Sequence, residues 1–222
     1  MIVLGLTGSI AMGKSTASAL FRREGIPVFC ADQGVHRLLG RGGAAVAAIE
    51  AAFPGVVANG AVDRARLAAS VFADPEALKR LEMIVHPHVI RAQDRFLKAA
   101  ARRGSAFAVL DIPLLFETGL DRLCDRVAVV SAPAALQYQR LVRRRTLDAV
   151  RIKATLARQM PDAVKRRRAD FIIPSGQGRA LTRRVIVGMI RILKDQSRGR
   201  PAHGRRGRQT GRWSLTAGPR LR

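Results

Sequence analysis

The chain has 222 residues, 48% of them hydrophobic, and its 40 Lys/Arg against 16 Asp/Glu leave a net charge of +24. That length suits one α/β domain with room for a sub-domain, and the apolar share is ample for a core. Two cysteines (Cys30, Cys124) make no disulfide framework and suit a reducing cytoplasm, the N-terminal apolar run is too short for a signal peptide, and no apolar stretch reaches the roughly 18 residues of a membrane span.

The first element, "IVLGL" at 2–6, reads as a buried strand. It runs into "GLTGSIAMGKST", where Gly8-x-x-x-x-Gly13-Lys14-Ser15 fits the phosphate-binding loop. Glycines let backbone N–H groups turn inward as an anion nest, and a helix starting near Lys14 aims its positive end at the same point. Lys14 adds a charge for β/γ-phosphates and Ser15 a hydroxyl for Mg²⁺. The loop is therefore expected to hold a nucleoside triphosphate.

The second strand, "IPVFCA" at 26–31, places Asp32 at its end. A carboxylate there can take the proton of an acceptor hydroxyl; the alternative is a helix N-cap for "DQGVHRLL". About seventy residues separate this strand from the next, far more than a crossover needs. Helical patterns around 42–53, 64–72 and 75–101 make residues 36–105 a helical insertion covering the sheet edge, an expected acceptor site. The third strand, "AFAVLD" at 106–111, ends on Asp111, which suits Mg²⁺ or its waters, or else caps the next loop. The fourth, "RVAVVS", covers 126–131. Residues 140–168 follow, with eleven Lys/Arg against Asp148 and Asp162, and predict a basic lid carrying Arg140 and Arg144 toward the loop; the alternative is a charged surface helix. The fifth strand is "DFIIP" at 170–174. Alternation of strands and helices predicts a three-layer fold with a five-stranded parallel sheet, whose function gathers at the C-terminal strand ends.

Residues 196–222 hold eight Arg and no acid, so +24 falls to +16 without them. Their Gly/Pro/Arg composition predicts a disordered tail beyond a 1–195 domain, either solvated and dispensable or attracted non-specifically to RNA or anionic surfaces.

Several patches share one pattern. "GLTGSIAMGKST", "ADQGVHRL", "VDRARLAASVF", "LEMIVHPHV", "VLDIPLLFETG" and "LARQMPDAVKRRRADFII" together resemble the dephospho-CoA kinase family, in that family's order. The resemblance implies a P-loop kinase that moves the γ-phosphoryl group of ATP to the ribose 3′-hydroxyl of dephospho-CoA, the last step of coenzyme A synthesis, with Mg²⁺. It implies ATP binding by Gly8, Ser9, Ile10, Ala11, Met12, Gly13, Lys14, Ser15 and Thr16, with Arg144 in the lid. Asp32 would be the base, and Lys14 and Arg140 would meet the phosphates. His86, Pro87, Asp111, Leu114 and Glu117 would serve the acceptor, and Ser15 and Asp111 the metal. Other readings stand beside these: His86 before Pro87 as a helix terminus, and Leu114, Leu115 and Phe116 as core.

Three positions depart from the family pattern. Cys30 stands where the family has the first Asp of Asp-Ala-Asp, Pro174 where a polar residue helps hold adenine, and "RRRTLD" where the lid turn has Pro-Gly. They imply an altered local charge, weaker base contacts and a different lid closure. Two rivals remain: a kinase for a nucleoside or sugar, and a nucleic-acid-binding NTPase suggested by the charge. The second lacks aromatic stacking stripes, aromatics being 5%. The sequence carries no signal of oligomeric state.

Overall fold

The computed structural model describes residues 1–71, 74–143, 156–157 and 159–198. Five strands, β1 (Ile2–Thr7), β2 (Val28–Cys30), β5 (Phe107–Asp111), β6 (Arg126–Ser131) and β7 (Phe171–Pro174), form one sheet in the order β2-β5-β1-β6-β7. Every pairing in it is parallel. The expected five-stranded parallel sheet is present, and each of its strands lies on an apolar run. A parallel sheet is covered on both faces, so its strands read as near-continuous apolar runs.

The strand period of two sorts those runs onto two cores. Leu4, Leu6, Phe107, Val109, Ala128, Val130 and Ile173 face α1 (Lys14–Arg23) and α8 (Arg179–Arg198), which supply Leu20, Phe21, Ile186, Met189 and Leu193. The opposite face presents Leu110, Val127 and Val129, packed with Phe29, Leu115, Phe116 and, from α5 (Pro75–Arg102), Val89, Phe96 and Leu97. α8 runs to Arg198, three residues into the expected tail, and residues 199–222 lie outside the described residues.

The insertion has a core of its own. α2 (Ala31–Leu39), α3 (Val46–Ala52), α4 (Arg64–Val71) and α5 bury Leu39, Ile49, Phe53, Leu67 and Val85 together. It also holds a two-stranded antiparallel hairpin, β3 (Val57–Ala58) with β4 (Ala61–Val62), which the helical reading of 36–105 did not include. Its turn residues Asn59 and Gly60 both have positive φ, 52° and 74°. An Asn-Gly pair is a strong short-range hairpin signal.

α5 continues through Pro87, so His86 is not a helix terminus. The proline removes one backbone donor and leaves the Met83 carbonyl without its helical partner, but 28 residues of helix packed on two cores outweigh one lost bond.

Candidate active site

The loop between β1 and α1 is held from several sides. Gly8 sits against β6: a Cβ there would stand 2.6 Å from the Val130 carbonyl oxygen. Gly13, the N-cap of α1, has φ 91°, a conformation that favours glycine. Ala11 also has positive φ, 61°. Ser9, Ala11 and Met12 are buried, and Ser15 is exposed in the first turn of α1. The Met12 N–H is taken by the Ser9 carbonyl and the Ile10 N–H by Gln159 Oε1, at 3.0 Å. Among the described residues, the N–H groups of Ala11, Gly13, Lys14 and Ser15 have no protein acceptor. The first N–H groups of a helix have no intrahelical partner, and free ones at the positive end of its dipole mark an anion seat.

Side chains close around that seat. Lys14 Nζ pairs with Asp111 Oδ1, and Ser18 Oγ, one turn further along α1, donates to Asp111 Oδ2 at 2.5 Å. Asp111 is only 3% exposed at the end of β5. Arg140, on α6 (Ala134–Arg143), donates to the Ala11 carbonyl (3.2 Å), to Ser175 Oγ (3.0 Å) and to the Ser175 carbonyl (2.6 Å). Ser175 Oγ in turn donates to the Met12 carbonyl at 2.6 Å. Arg140 therefore grips the phosphate loop and the turn after β7 at once, as charge-assisted donors do.

On the acceptor side the placements differ from expectation. β2 ends at Cys30, and Asp32 lies in the first turn of α2, exposed, instead of at a strand end. The N-cap position is Cys30 (φ −106°, ψ 114°), whose side chain makes no capping bond, so the N-cap reading of Asp32 does not hold. Cys30 is in register with Asp111 on β5, which keeps the start of α2 at the same sheet end as the phosphate loop. His86 and Pro87 are exposed on α5, with no hydrogen bond joining them to the loop among the described residues. Leu115 and Phe116 are core, but Leu114 is 40% exposed, which removes the core reading for that residue alone. Arg144 and the "RRRTLD" turn beyond Arg143 fall outside the described residues. Pro174, in register with Ser131, accepts from Thr182 Oγ1 at 2.8 Å.

Glu117 is engaged within the protein. Its Oε1 accepts the Met160 N–H at 2.8 Å and stands 2.8 Å from Lys165 Nζ, which is fully buried in α7 (Asp162–Arg168). The Lys165 contact is an ion pair without hydrogen-bond alignment. Burial pushes the Glu117 carboxyl up, but the Lys165 ammonium and the backbone N–H groups of Met160 and of Glu117 itself outweigh it and hold the carboxyl below its ordinary value of 4.5.

Sequence reasoning missed Ser18, Gln159 and Ser175. Ser18 was legible: it lies four residues after Lys14, on the same helix face. Gln159 and Ser175 carry no local signal, because each reaches the loop across more than 140 residues of chain. Among the described residues no group of three or more His, Cys, Asp or Glu could hold a metal ion. Ser15 and Asp111 nonetheless fit a cation that takes one or two protein oxygens and fills the rest of its shell with phosphate and water, as Mg²⁺ does at phosphate sites.

An anion seat at the end of the central strand of this parallel sheet, with a lysine and a bridging arginine over it, defines a P-loop kinase. A family model described as dephospho-CoA kinase matches residues 2–179. A dephospho-CoA kinase of Brucella melitensis is 48% identical over 202 residues, covering 91% of this chain and 98% of that one, and another of Mesorhizobium japonicum is 50% identical over 196 residues (88% and 98%). The crystal structure of TT1252 from Thermus thermophilus superposes with a TM-score of 0.75 at 34% identity, covering 86% of this chain and 96% of the other. The dephospho-CoA kinase from Campylobacter jejuni superposes with 0.60 at 27%, with the same coverage. The chain belongs to the dephospho-CoA kinase family.

Proposed function

We propose that this chain carries out its family's reaction with Asp32 as base and with Lys14 and Arg140 as the charges that meet the transferred group. The free N–H groups of Ala11, Gly13, Lys14 and Ser15 bind ATP phosphate oxygens; they are the observation that carries the reading. Lys14 exchanges Asp111 for the β/γ-phosphates, and Arg140 neutralises charge from the far side of the loop. Mg²⁺, held by Ser15 and Asp111, would neutralise charge on the β- and γ-phosphates.

Asp32 takes the proton of the ribose 3′-hydroxyl. The oxygen attacks the γ-phosphorus, the bond to the β–γ bridging oxygen breaks, and ADP leaves. An exposed carboxylate with no protein partner among the described residues is free to do this. His86, Pro87 and the exposed Leu114 form the acceptor side with the insertion. Among the described residues no helix is long and apolar enough to cross a membrane, and neither cysteine is in a disulfide, which fits cytoplasmic work. The basic tail takes no part beyond non-specific attraction to anions.

The test is ADP formation from ATP with dephospho-CoA, with a nucleoside or sugar, and with RNA. Turnover is expected with dephospho-CoA alone. Turnover with RNA and none with dephospho-CoA would overturn the reading.

A further inference from the structure

The segment 159–165 crosses the C-terminal ends of β5, β1 and β6, three neighbouring strands, and it is tied at each. Gln159 Oε1 accepts the Ile10 N–H at 3.0 Å, from the loop that follows β1. Met160 donates its N–H to Glu117, in the loop that follows β5, and its side chain packs in the core beneath that loop. Asp162 Oδ2 accepts from Ser131 Oγ at 2.7 Å, at the last residue of β6. Lys165 then returns to Glu117, and Arg168 clamps the same connection through Asp121 (3.0 Å) and the face of Phe116, 4.4 Å from the ring centroid.

A lysine and a glutamate are rarely buried unless they are paired, and neither Glu117 nor Gln159 is free to touch a substrate with the oxygen it uses here. Two adjacent residues, Gln159 and Met160, thus join the loop that seats the donor phosphates to the loop that leads from Asp111 toward the acceptor. Transfer between two bound substrates depends on their relative placement, and a misplacement of about 1 Å can cost about a hundredfold in rate.

We propose that residues 159–165 form a strap that fixes the phosphate loop relative to the acceptor-side loop, with Gln159 and Glu117 as positioning residues that set the distance between donor and acceptor. The Gln159 and Glu117 ties lie in series between the two loops, so cutting either one interrupts the same path. The inference rests on the kinase reading of the site and adds what aligns its two halves.

The test uses the full chain with three changes. Gln159→Ala cuts the tie to the phosphate loop without stranding a charge. Glu117→Leu with Lys165→Met cuts the tie to the acceptor-side loop and removes the buried ion pair as a unit, so that no unpaired ammonium is left. The third variant combines them. Each of the first two is expected to lower kcat roughly ten- to a hundredfold with little change in KM for ATP, and the combination is expected to lose no more than the worse of the two. Glu117→Gln with Lys165→Met keeps an acceptor for the Met160 N–H and is expected to recover most of the rate. Losses that multiply in the combined variant, or that follow the melting temperature alone, overturn the strap.

A second measurement does not depend on transfer. Binding of an ATP analogue with a non-transferable γ-phosphate is expected to slow amide hydrogen exchange in residues 112–119 of the unmodified chain, and Gln159→Ala to abolish that protection. If the analogue binds without protecting 112–119, the strap fails while the kinase reading stands. If the analogue does not bind, the kinase reading fails, and exchange in 112–119 that is unchanged by Gln159→Ala overturns the strap as well.

Discussion

The phosphate loop and the first turn of α2 lie at the same end of one sheet, yet they are built in opposite ways. Around the loop the side chains are already engaged: Lys14 with Asp111, Arg140 with Ala11 and Ser175, Ser175 with Met12, Gln159 with Ile10. Asp32, by contrast, is exposed and, among the described residues, has no side-chain partner. The donor side binds a group of fixed shape, so it is preorganised by backbone and bridging side chains. In the proposed reaction the acceptor side carries one proton-accepting group that must reach a mobile hydroxyl. Substitution should therefore damage structure and chemistry together on the donor side, and chemistry alone on the acceptor side.

Lys14→Ala is the strongest test of that contrast. Turnover should fall below detection in a steady-state assay. The change also leaves a nearly buried Asp111 carboxylate without its cation, so thermal unfolding should show a loss of roughly 3–5 kcal/mol. An unchanged melting temperature would mean that the Lys14–Asp111 pair contributes nothing to the resting fold.

Asp32→Asn should lower kcat by roughly 10²–10⁴ with ATP affinity intact. Its stability cost should be small, about 0.5 kcal/mol from losing an acid in the first turn of α2. A normal kcat would refute the base assignment and leave purely electrostatic transfer as the better account.

Glu117 sharpens the comparison through pH. Its carboxyl is held below its ordinary value in the fold, so its stabilising effect is complete above about pH 4.5 and fades as pH falls through the lower folded value. Melting temperatures followed from about pH 6 to about pH 3 should show that loss in the unmodified chain. Glu117→Gln should be less stable at the start, because Lys165 is left buried and unpaired, and should lack this part of the acid dependence.

The smallest effect is expected at Cys30. It holds the N-cap position of α2 in extended conformation and makes no capping bond. Cys30→Asp should stabilise the protein by about 1 kcal/mol by capping α2, measured by denaturant unfolding. No gain would mean that the carboxylate cannot reach the free N–H groups of the first turn.

The sheet, the phosphate loop and the family were legible in the sequence because each rests on local signals. A buried parallel strand shows itself as an apolar run, and the anion seat depends on a contiguous Gly8–Ser15 pattern that its own backbone realises. The Asn59-Gly60 hairpin was equally local and went unread, because strands of two residues show no periodicity. What only the tertiary structure decided are the contacts between distant segments. It moved Asp32 from a strand end into a helix, since a β2 of three residues pairs with β5 alone and stops at Cys30. It paired Glu117 with Lys165, and it recruited Gln159 and Ser175 to the phosphate loop. No window of sequence contains both partners of such a bond; they meet because strands remote in the chain share one end of a parallel sheet.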